Sequence, residues 1–191
     1  MLEINNYNSS ILHEISFSLK ENENLIILGE NGAGKSTLAK VLSNLIINDK
    51  VKLFGEQISK INDLKRAQLI NYIPPKLSIF DEYITLREFL ELSFISSVDS
   101  EKVDEIIKLL NLRKLEHKYC KAFSSGEKQL LLLASAIVHN AKITIFDELT
   151  ANLDISRLKE VYDILNSDLL QQKIIITHNL DLAYALKYKV L

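Results

Sequence analysis

The stretch Gly29-Glu30-Asn31-Gly32-Ala33-Gly34-Lys35-Ser36-Thr37 decides the fold that the sequence predicts. It follows the apolar run Leu25 to Leu28 and precedes residues with helical periodicity, from Leu38 to Leu42. A strand, a glycine-rich loop and a helix in this order are typical of a phosphate-binding loop, because residues without a side chain let backbone N–H groups approach phosphate oxygens. The dipole of the following helix also favours negative charge at its N-terminus.

The residues of this loop match the pattern G-x-x-x-x-G-K-[ST]. In that pattern Lys35 binds the β- and γ-phosphates, and the hydroxyl of Ser36 ligates Mg²⁺. The alternative is a chance glycine-rich turn with a surface lysine, which would not need the flanking strand and helix. The loop residues predicted to contact the nucleotide are Gly29, Asn31, Gly32, Ala33, Gly34, Lys35, Ser36 and Thr37.

Composition limits the classes of protein to consider. A chain of 191 residues with 47% apolar content predicts one compact domain, and a formal net charge of −2 gives no basic excess for nucleic acid. Cys120 is the only cysteine, which favours a reducing, cytosolic setting. The longest apolar run, Leu130 to Val138, is far shorter than a membrane-spanning helix, and the first residues lack the pattern of a signal peptide.

Hydrophobic patterns predict the elements around the loop. From about residue 74 to 119 the pattern is helical, with Asp99 or Ser100 as an N-cap and an apolar face of Val103, Ile106, Ile107 and Leu110. We interpret this segment as an insertion into an α/β core. The predicted strands are Leu2 to Ile4, Ile15 to Leu19, Leu25 to Leu28, Val51 to Phe54 and Ile70 to Ile73.

A second informative stretch runs from Phe123 to Gln129. Ser124 and Glu127 have the spacing of a capping box, so a helix is predicted to begin here with N–H groups and hydroxyls at its tip. Taken alone, the stretch is simply a well-capped helix. Its apolar stripe is Leu130, Leu133, Ala134, Ile137 and Val138.

Two later strands end in polar residues that complete the pattern. Ile143 to Glu148 is predicted to be a buried strand that ends in two carboxylates, where an α/β sheet places its ligands. Asp147 would hold Mg²⁺, through water or directly, and Glu148 would act as the general base, unless both are solvated turn acids. The strand Lys173 to His178 delivers His178, which is either structural or orients water at a γ-phosphate. Between them, Asp154 is predicted to cap a helix.

The order and spacing of these pieces resemble the ATP-binding cassette, the ATPase subunit of ABC transporters. The resemblance covers Leu2 to Leu191 and implies a P-loop NTPase core (1–73 and 123–191) with antiparallel N-terminal strands and a helical subdomain (about 74–122). It implies that Asp154 ends the loop after the Asp-Glu strand and that His178 is the switch histidine. Tyr7 resembles the aromatic that stacks on adenine, although plain surface packing at a strand edge is an equal alternative. Phe123 to Glu127 resembles the LSGGQ signature, so that Ser124, Ser125, Gly126 and Glu127 would contact ATP held by a second subunit.

Three positions depart from the family pattern. Pro75 stands where the family has a glutamine, Ser125 replaces the first signature glycine, and Leu149 takes the usual proline place after Glu148. Proline has no side-chain amide to reach Mg²⁺ or to couple the core to the helical segment. These departures leave coupling and turnover open but do not affect the expectation that the chain binds ATP.

The sequence therefore predicts an ATP-binding and ATP-hydrolysing subunit of an ABC transporter, with ATP and Mg²⁺ as cofactors. Its expected partners are a second ATP-binding subunit and a membrane-spanning permease, with no nucleic acid, and its expected place is the cytoplasmic face of the membrane. One alternative is a degenerate cassette that binds ATP and regulates with little turnover. Others are a small P-loop kinase and the soluble ABC ATPases of DNA repair or translation.

Overall fold

The computed structural model of the chain describes residues 1–79, 81–150 and 153–191. The strands are β1 (Leu2–Tyr7), β2 (Ile15–Leu19), β3 (Leu25–Leu28), β4 (Val51–Leu53), β5 (Glu56–Gln57), β6 (Ile70–Ile73), β7 (Ile143–Asp147), β8 (Gln172–Thr177) and β9 (Lys189–Val190). The helices are α1 (Lys35–Leu42), α2 (Asp63–Leu69), α3 (Leu86–Glu91), α4 (Ser100–Leu109), α5 (Ser125–His139), α6 (Ile155–Leu165) and α7 (Leu180–Leu186).

The strands form two sheets of different kinds. A four-stranded antiparallel sheet has the order β2-β1-β4-β5, and a five-stranded parallel sheet has the order β6-β7-β8-β3-β9. The residues of β7 and β8 are all buried, as expected for parallel strands that are covered on both faces. The predicted α/β fold with antiparallel N-terminal strands is confirmed.

The parallel sheet brings the ends of its central strands together. In the order β7-β8-β3, Asp147 pairs with Ile176, and Leu28 pairs with Thr177. Because parallel strands point the same way, the residues that follow β3, β7 and β8 meet at one edge of the sheet. The glycine loop follows β3, Glu148 follows β7 and His178 follows β8, so the topology collects the predicted site residues.

The segment between β6 and α5 contains α3 and α4, which both pack against α5. The predicted apolar face of α4 is buried, and its N-cap is Asp99. The prediction of helix from residue 74 is wrong at its start, because α3 begins only at Leu86, behind a capping box formed by Thr85 and Glu88. A partly buried ion pair from Arg87 Nε to Glu116 Oε1, at 2.8 Å, connects α3 to the segment after α4.

The subdomain limits predicted at residues 74 and 122 stay a prediction. In the described part of the chain, no helix is both long enough and apolar enough to cross a bilayer.

Candidate nucleotide site

The glycine loop needs its glycines for reasons of geometry. Gly34 is the N-cap of α1 and has a φ of 87°, a left-handed conformation that residues with a side chain rarely adopt. A Cβ atom at Gly34 would also lie 2.8 Å from Leu12 Cδ2 and 3.0 Å from Ile11 Cγ2. The turn into α1 therefore excludes a side chain at this position on two independent grounds.

Lys35 places its ammonium group inside the loop. Its side chain is buried, and Nζ donates hydrogen bonds to the main-chain oxygens of Gly29, at 2.8 Å, and Glu30, at 2.9 Å. Nζ also lies 3.9 Å from Glu148 Oε1. A phosphate oxygen can accept a hydrogen bond from Lys35 Nζ in place of these carbonyl oxygens, and the ammonium group would need to move only a short distance. The adjoining cavity of about 240 Å³ is lined by Ile11, Asn31, Gly32, Gly34, Lys35, Ser36, Thr37 and Glu148.

Glu148 lies between the loop and the end of β8. Its Oε1 is 2.9 Å from His178 Nδ1, and its main-chain N–H donates to the oxygen of Ile176 at 3.0 Å. Glu148 has a φ of 55°, a left-handed conformation that costs about 1–2 kcal/mol for a residue with a side chain. The structure thus holds the Glu148 carboxylate beside the Lys35 ammonium and the His178 ring.

Asp147, the last residue of β7, is completely buried. Its Oδ2 accepts a hydrogen bond, whereas Oδ1 has no partner among the residues that the structure describes. A buried carboxylate oxygen without a partner is costly unless a cation compensates it. Carboxylate and hydroxyl oxygens are ligands that Mg²⁺ accepts, so Asp147 and Ser36 fit the predicted metal.

Sequence reasoning missed two polar contacts of this region. The hydroxyl of Tyr72, in β6, donates the hydrogen bond to Asp147 Oδ2 at 2.9 Å. Burial, together with the Asp147 carboxylate, raises the pKa of Tyr72 well above its usual range, so the hydroxyl stays a donor. Gln129, in α5, donates from Nε2 to the main-chain oxygen of Pro75 at 2.7 Å. The only feature of the sequence that points to this second contact is a polar residue, Gln129, directly before the apolar residues of α5.

The signature-like stretch forms the N-terminus of α5, as predicted. Ser124 N–H donates to Glu127 Oε2 at 2.8 Å, and Glu127 N–H donates to Ser124 Oγ at 3.2 Å. The first of these bonds is the main reason that the pKa of the Glu127 carboxyl is lowered. A cavity of about 360 Å³ here is lined by Ser124, Ser125, Gly126, Glu127, Leu130, Leu153, Asp154 and Arg157.

Asp154 is the N-cap of α6, as predicted. Its Oδ1 accepts a hydrogen bond from the main-chain N–H of Arg157 at 2.9 Å, and this bond is the main cause that lowers the pKa of the Asp154 carboxyl. The preceding residues of the predicted loop, Ala151 and Asn152, lie outside the described residues. The cavity beside Asp154 and the cavity beside Lys35 have no lining residue in common.

Tyr7 does not lie where an adenine-stacking ring would be open to a base. Its side chain is 9% exposed and packs in a hydrophobic cluster with residues of the antiparallel sheet. This burial argues against the predicted stacking role, and it also differs from the surface packing that was the alternative, because Tyr7 packs in the core. Ile11 is 54% exposed and lines the cavity beside Lys35. Sequence reasoning missed Ile11 because a single isoleucine in a polar segment carries no motif.

Comparison with known proteins agrees with this geometry. A family model described as ABC transporter matches residues 12–151. The chain belongs to the ABC transporter family. The interpretation of the sequence as an ABC transporter ATP-binding subunit is thereby confirmed, and the matches favour none of the alternatives. Members of this family are ATPases, and the class of ligand expected at the glycine loop is ATP.

Relatives of this ABC protein include three transporter proteins. An uncharacterized ABC transporter ATP-binding protein of Methanocaldococcus jannaschii is 32% identical, with 91% of this chain and 72% of that one covered. The zinc import ATP-binding protein ZnuC of Buchnera aphidicola is 31% identical, with 100% and 77% covered. A putative ABC transporter ATP-binding protein of Clostridium tetani is 32% identical, and the match covers 91% of this chain but 41% of that longer protein.

Solved ABC structures share the fold. The dimeric, post-hydrolysis state of the ATP-binding cassette MJ0796 with ADP and Pi has a TM-score of 0.83 at 19% identity, with 97% of this chain and 91% of that chain covered. A bacterial Atm1-family ABC exporter with ATP bound has a TM-score of 0.84 at 21% identity, with 95% and 35% covered. At these identities the likeness supports the fold alone.

Proposed function

We propose that this ABC protein hydrolyses ATP bound at its glycine loop and uses the cycle to drive a separate membrane-spanning permease. The observation that carries the proposal is the position of Glu148, whose carboxylate lies 3.9 Å from Lys35 Nζ and 2.9 Å from His178 Nδ1. In this proposal the base, the phosphate-binding cation and the hydrogen-bonding imidazole all act on one γ-phosphate, which the short distances between them support. This is the set of groups that ATP hydrolysis needs.

Each residue has a separate task in the proposed reaction. Lys35 leaves the carbonyls of Gly29 and Glu30 and binds the phosphates, while N–H groups of the loop and the α1 N-terminus bind the remaining oxygens. Glu148 accepts a proton from the attacking water, and His178 holds Glu148 and the γ-phosphate in place. Ser36 and Asp147 would hold Mg²⁺, which when bound neutralises charge on the phosphate oxygens.

The signature face (Ser124 to Glu127 with Asp154) is proposed to bind the ATP of a second ATP-binding subunit. Its cavity shares no lining residue with the cavity beside Lys35. The two cavities are therefore separate in one chain, which supports a site formed by the glycine loop of one subunit and the signature face of another. Two ATP molecules would then hold the pair closed, and hydrolysis would reopen it. In this proposal residues 1–73 and 123–191 form the core, and residues of about 74–122 transmit its movement to the permease.

The proposed permease partner also predicts where in the cell the chain is located. Because the ATP-binding subunit would act by binding the membrane-spanning permease, we propose a peripheral position on the cytoplasmic face of the membrane. A second candidate function is regulation by ATP binding with little hydrolysis. It is favoured by Pro75, which supplies no side-chain amide where the family has a glutamine.

Purification from detergent-solubilised membranes of the source cells, followed by a phosphate-release assay, tests the proposal. The tagged chain should bring down a polytopic membrane protein in a fixed ratio, and the complex should release phosphate from MgATP. A matched Lys35→Ala variant should capture the same membrane protein and release no phosphate. A complex that binds MgATP without phosphate release would instead support the regulatory candidate.

A further inference from the structure

The contact between Tyr72 and Asp147 joins two neighbouring parallel strands. Tyr72 pairs with Ile145 across β6 and β7. Alternate residues of a strand point to the same face, so Asp147, two residues after Ile145, shares a face with Tyr72. A tyrosine is long enough to reach this diagonal neighbour, and its hydroxyl lies 2.9 Å from Asp147 Oδ2.

This hydrogen bond makes the two oxygens of Asp147 different. Oδ2 accepts from Tyr72, while Oδ1 is buried without a partner in the described part of the chain. A hydrogen bond to one carboxylate oxygen fixes the rotation of the group. The other oxygen then points in a fixed direction and keeps its lone pairs for another ligand. Partners of metal ligands commonly orient them in this way.

The segment after β6 makes the orientation of Asp147 more important. Pro75 has no side-chain oxygen or amide, and its main-chain oxygen already accepts a hydrogen bond from Gln129 at 2.7 Å. Of the residues predicted to hold the cation, Ser36 and Asp147 then remain as protein ligands. A carboxylate that is free to rotate would be a poorer ligand for Mg²⁺, which demands near-octahedral geometry.

We propose that Tyr72 is a positioning residue for the metal site, which holds Asp147 so that Oδ1 alone faces the Mg²⁺ of MgATP. The inference rests on the proposed function of the glycine loop. It assigns Tyr72 no contact with nucleotide or metal. Its effect is to favour a single-oxygen contact over a two-oxygen contact, and thereby Mg²⁺ over a larger cation such as Ca²⁺.

Calorimetry with a non-hydrolysable ATP analogue in Mg²⁺, in Ca²⁺ or in EDTA tests the role of Tyr72. Tyr72→Phe removes one hydroxyl and keeps the ring. We expect it to bind the analogue in EDTA within about twofold of the parent chain and to lose about tenfold of the affinity in Mg²⁺, the lower end of the effect typical of such partners. The loss in Ca²⁺ should be smaller, because Ca²⁺ accepts a two-oxygen carboxylate.

Tyr188→Phe is the matched control. Tyr188 is also half-buried, and its hydroxyl donates to the main-chain oxygen of Leu165, away from the glycine loop. This variant loses a tyrosine hydrogen bond of similar burial, so it shares any general loss of stability. We expect its affinities in Mg²⁺, Ca²⁺ and EDTA to keep the ratios of the parent chain.

Four other results would decide against the inference. If Tyr72→Phe keeps the full gain from Mg²⁺, or loses affinity equally in all three buffers, the contact is only structural and the proposed function stands. If the parent chain binds the analogue equally in Mg²⁺ and EDTA, the magnesium site fails and the role of Tyr72 fails with it. If the parent chain does not bind the analogue, the proposed function itself is wrong.

Discussion

The glycine-loop site and the signature face differ in how complete they are within one chain. At the glycine loop, Lys35 and His178 both lie within 4 Å of Glu148, although they come from distant parts of the sequence. At the signature face, Ser124 and Glu127 mainly bond each other in a capping box, and the cavity is lined by the N-terminal turns of α5 and α6. The first region has its own base and cation, whereas the second offers a helix N-terminus to a ligand.

This difference indicates which substitutions should act within one subunit. Changes at the glycine loop should abolish nucleotide binding directly, because the charges that hold phosphate are there. Changes at the signature face should instead weaken the pairing of subunits around bound ATP. The experiments below test the part of this comparison that concerns the nucleotide site, beginning with the lysine of the glycine loop.

Lys35→Ala should lower the affinity for MgATP about 100-fold or more, since it removes a charge-assisted contact to phosphate. Calorimetry measures the loss, and thermal unfolding checks that the chain still folds. Lys40→Ala is the matched control, because Lys40 is an exposed lysine of the same helix. Equal affinities of the Lys35→Ala variant and the parent chain would show that phosphate does not bind at this loop.

Tyr7→Ala and Ile11→Ala should affect different properties: the first should lower stability, and the second should lower the affinity for ATP. Tyr7 is buried, so its truncation should cost about 3 kcal/mol of unfolding free energy and leave the ATP affinity of the folded chain near that of the parent. Ile11 lines the cavity and is half exposed, so its truncation should leave stability unchanged and weaken ATP binding about two- to fivefold.

Thermal melts and calorimetry on both variants separate the two effects. A stable Tyr7→Ala variant with weakened ATP binding would restore the stacking role. Unchanged binding of a bare triphosphate by that variant would identify adenine as the group lost.

Pro75→Gln should raise the rate of phosphate release by about two- to fivefold, because a side-chain amide can add a hydrogen bond near Mg²⁺ and the backbone gains freedom. The main-chain oxygen that accepts from Gln129 is kept in this variant. Pro74→Gln, one residue earlier, serves as the control. If Pro75→Gln folds normally and its rate is unchanged or lower, Pro75 is an accommodated substitution and the regulatory candidate loses its main support.

Local signals predicted much of the fold and part of the site. The capping box of Ser124 and Glu127, the buried strand from Ile143 and the N-cap at Asp154 each depend on a few neighbouring residues, and the structure has all three, although the strand ends at Asp147, one residue before the predicted Glu148. The start of α3 was not identified from the sequence, because apolar and polar residues are mixed between Pro75 and Thr85, and only the capping box of Thr85 and Glu88 marks where the helix begins. Short-range patterns do not separate a packed loop from a helix.

Contacts between distant strands could not be predicted in the same way. Tyr72 and Asp147 are 75 residues apart, and their contact depends on the register of two parallel strands, which the pattern of apolar residues leaves undetermined. The burial of Tyr7 depends likewise on packing against the antiparallel sheet. A sequence motif identifies groups that carry chemistry, but packing decides which side chain faces the ligand.

The central claim is that Lys35, Asp147, Glu148 and His178 form one site that hydrolyses ATP, and phosphate release by Glu148→Gln tests it most directly. The substitution removes the base and keeps the shape of the side chain. We expect MgATP to bind as in the parent chain, while phosphate release falls by about 100-fold or more. A Glu148→Gln variant that releases phosphate at the parent rate would contradict the account, as would a parent chain that binds MgATP and releases none.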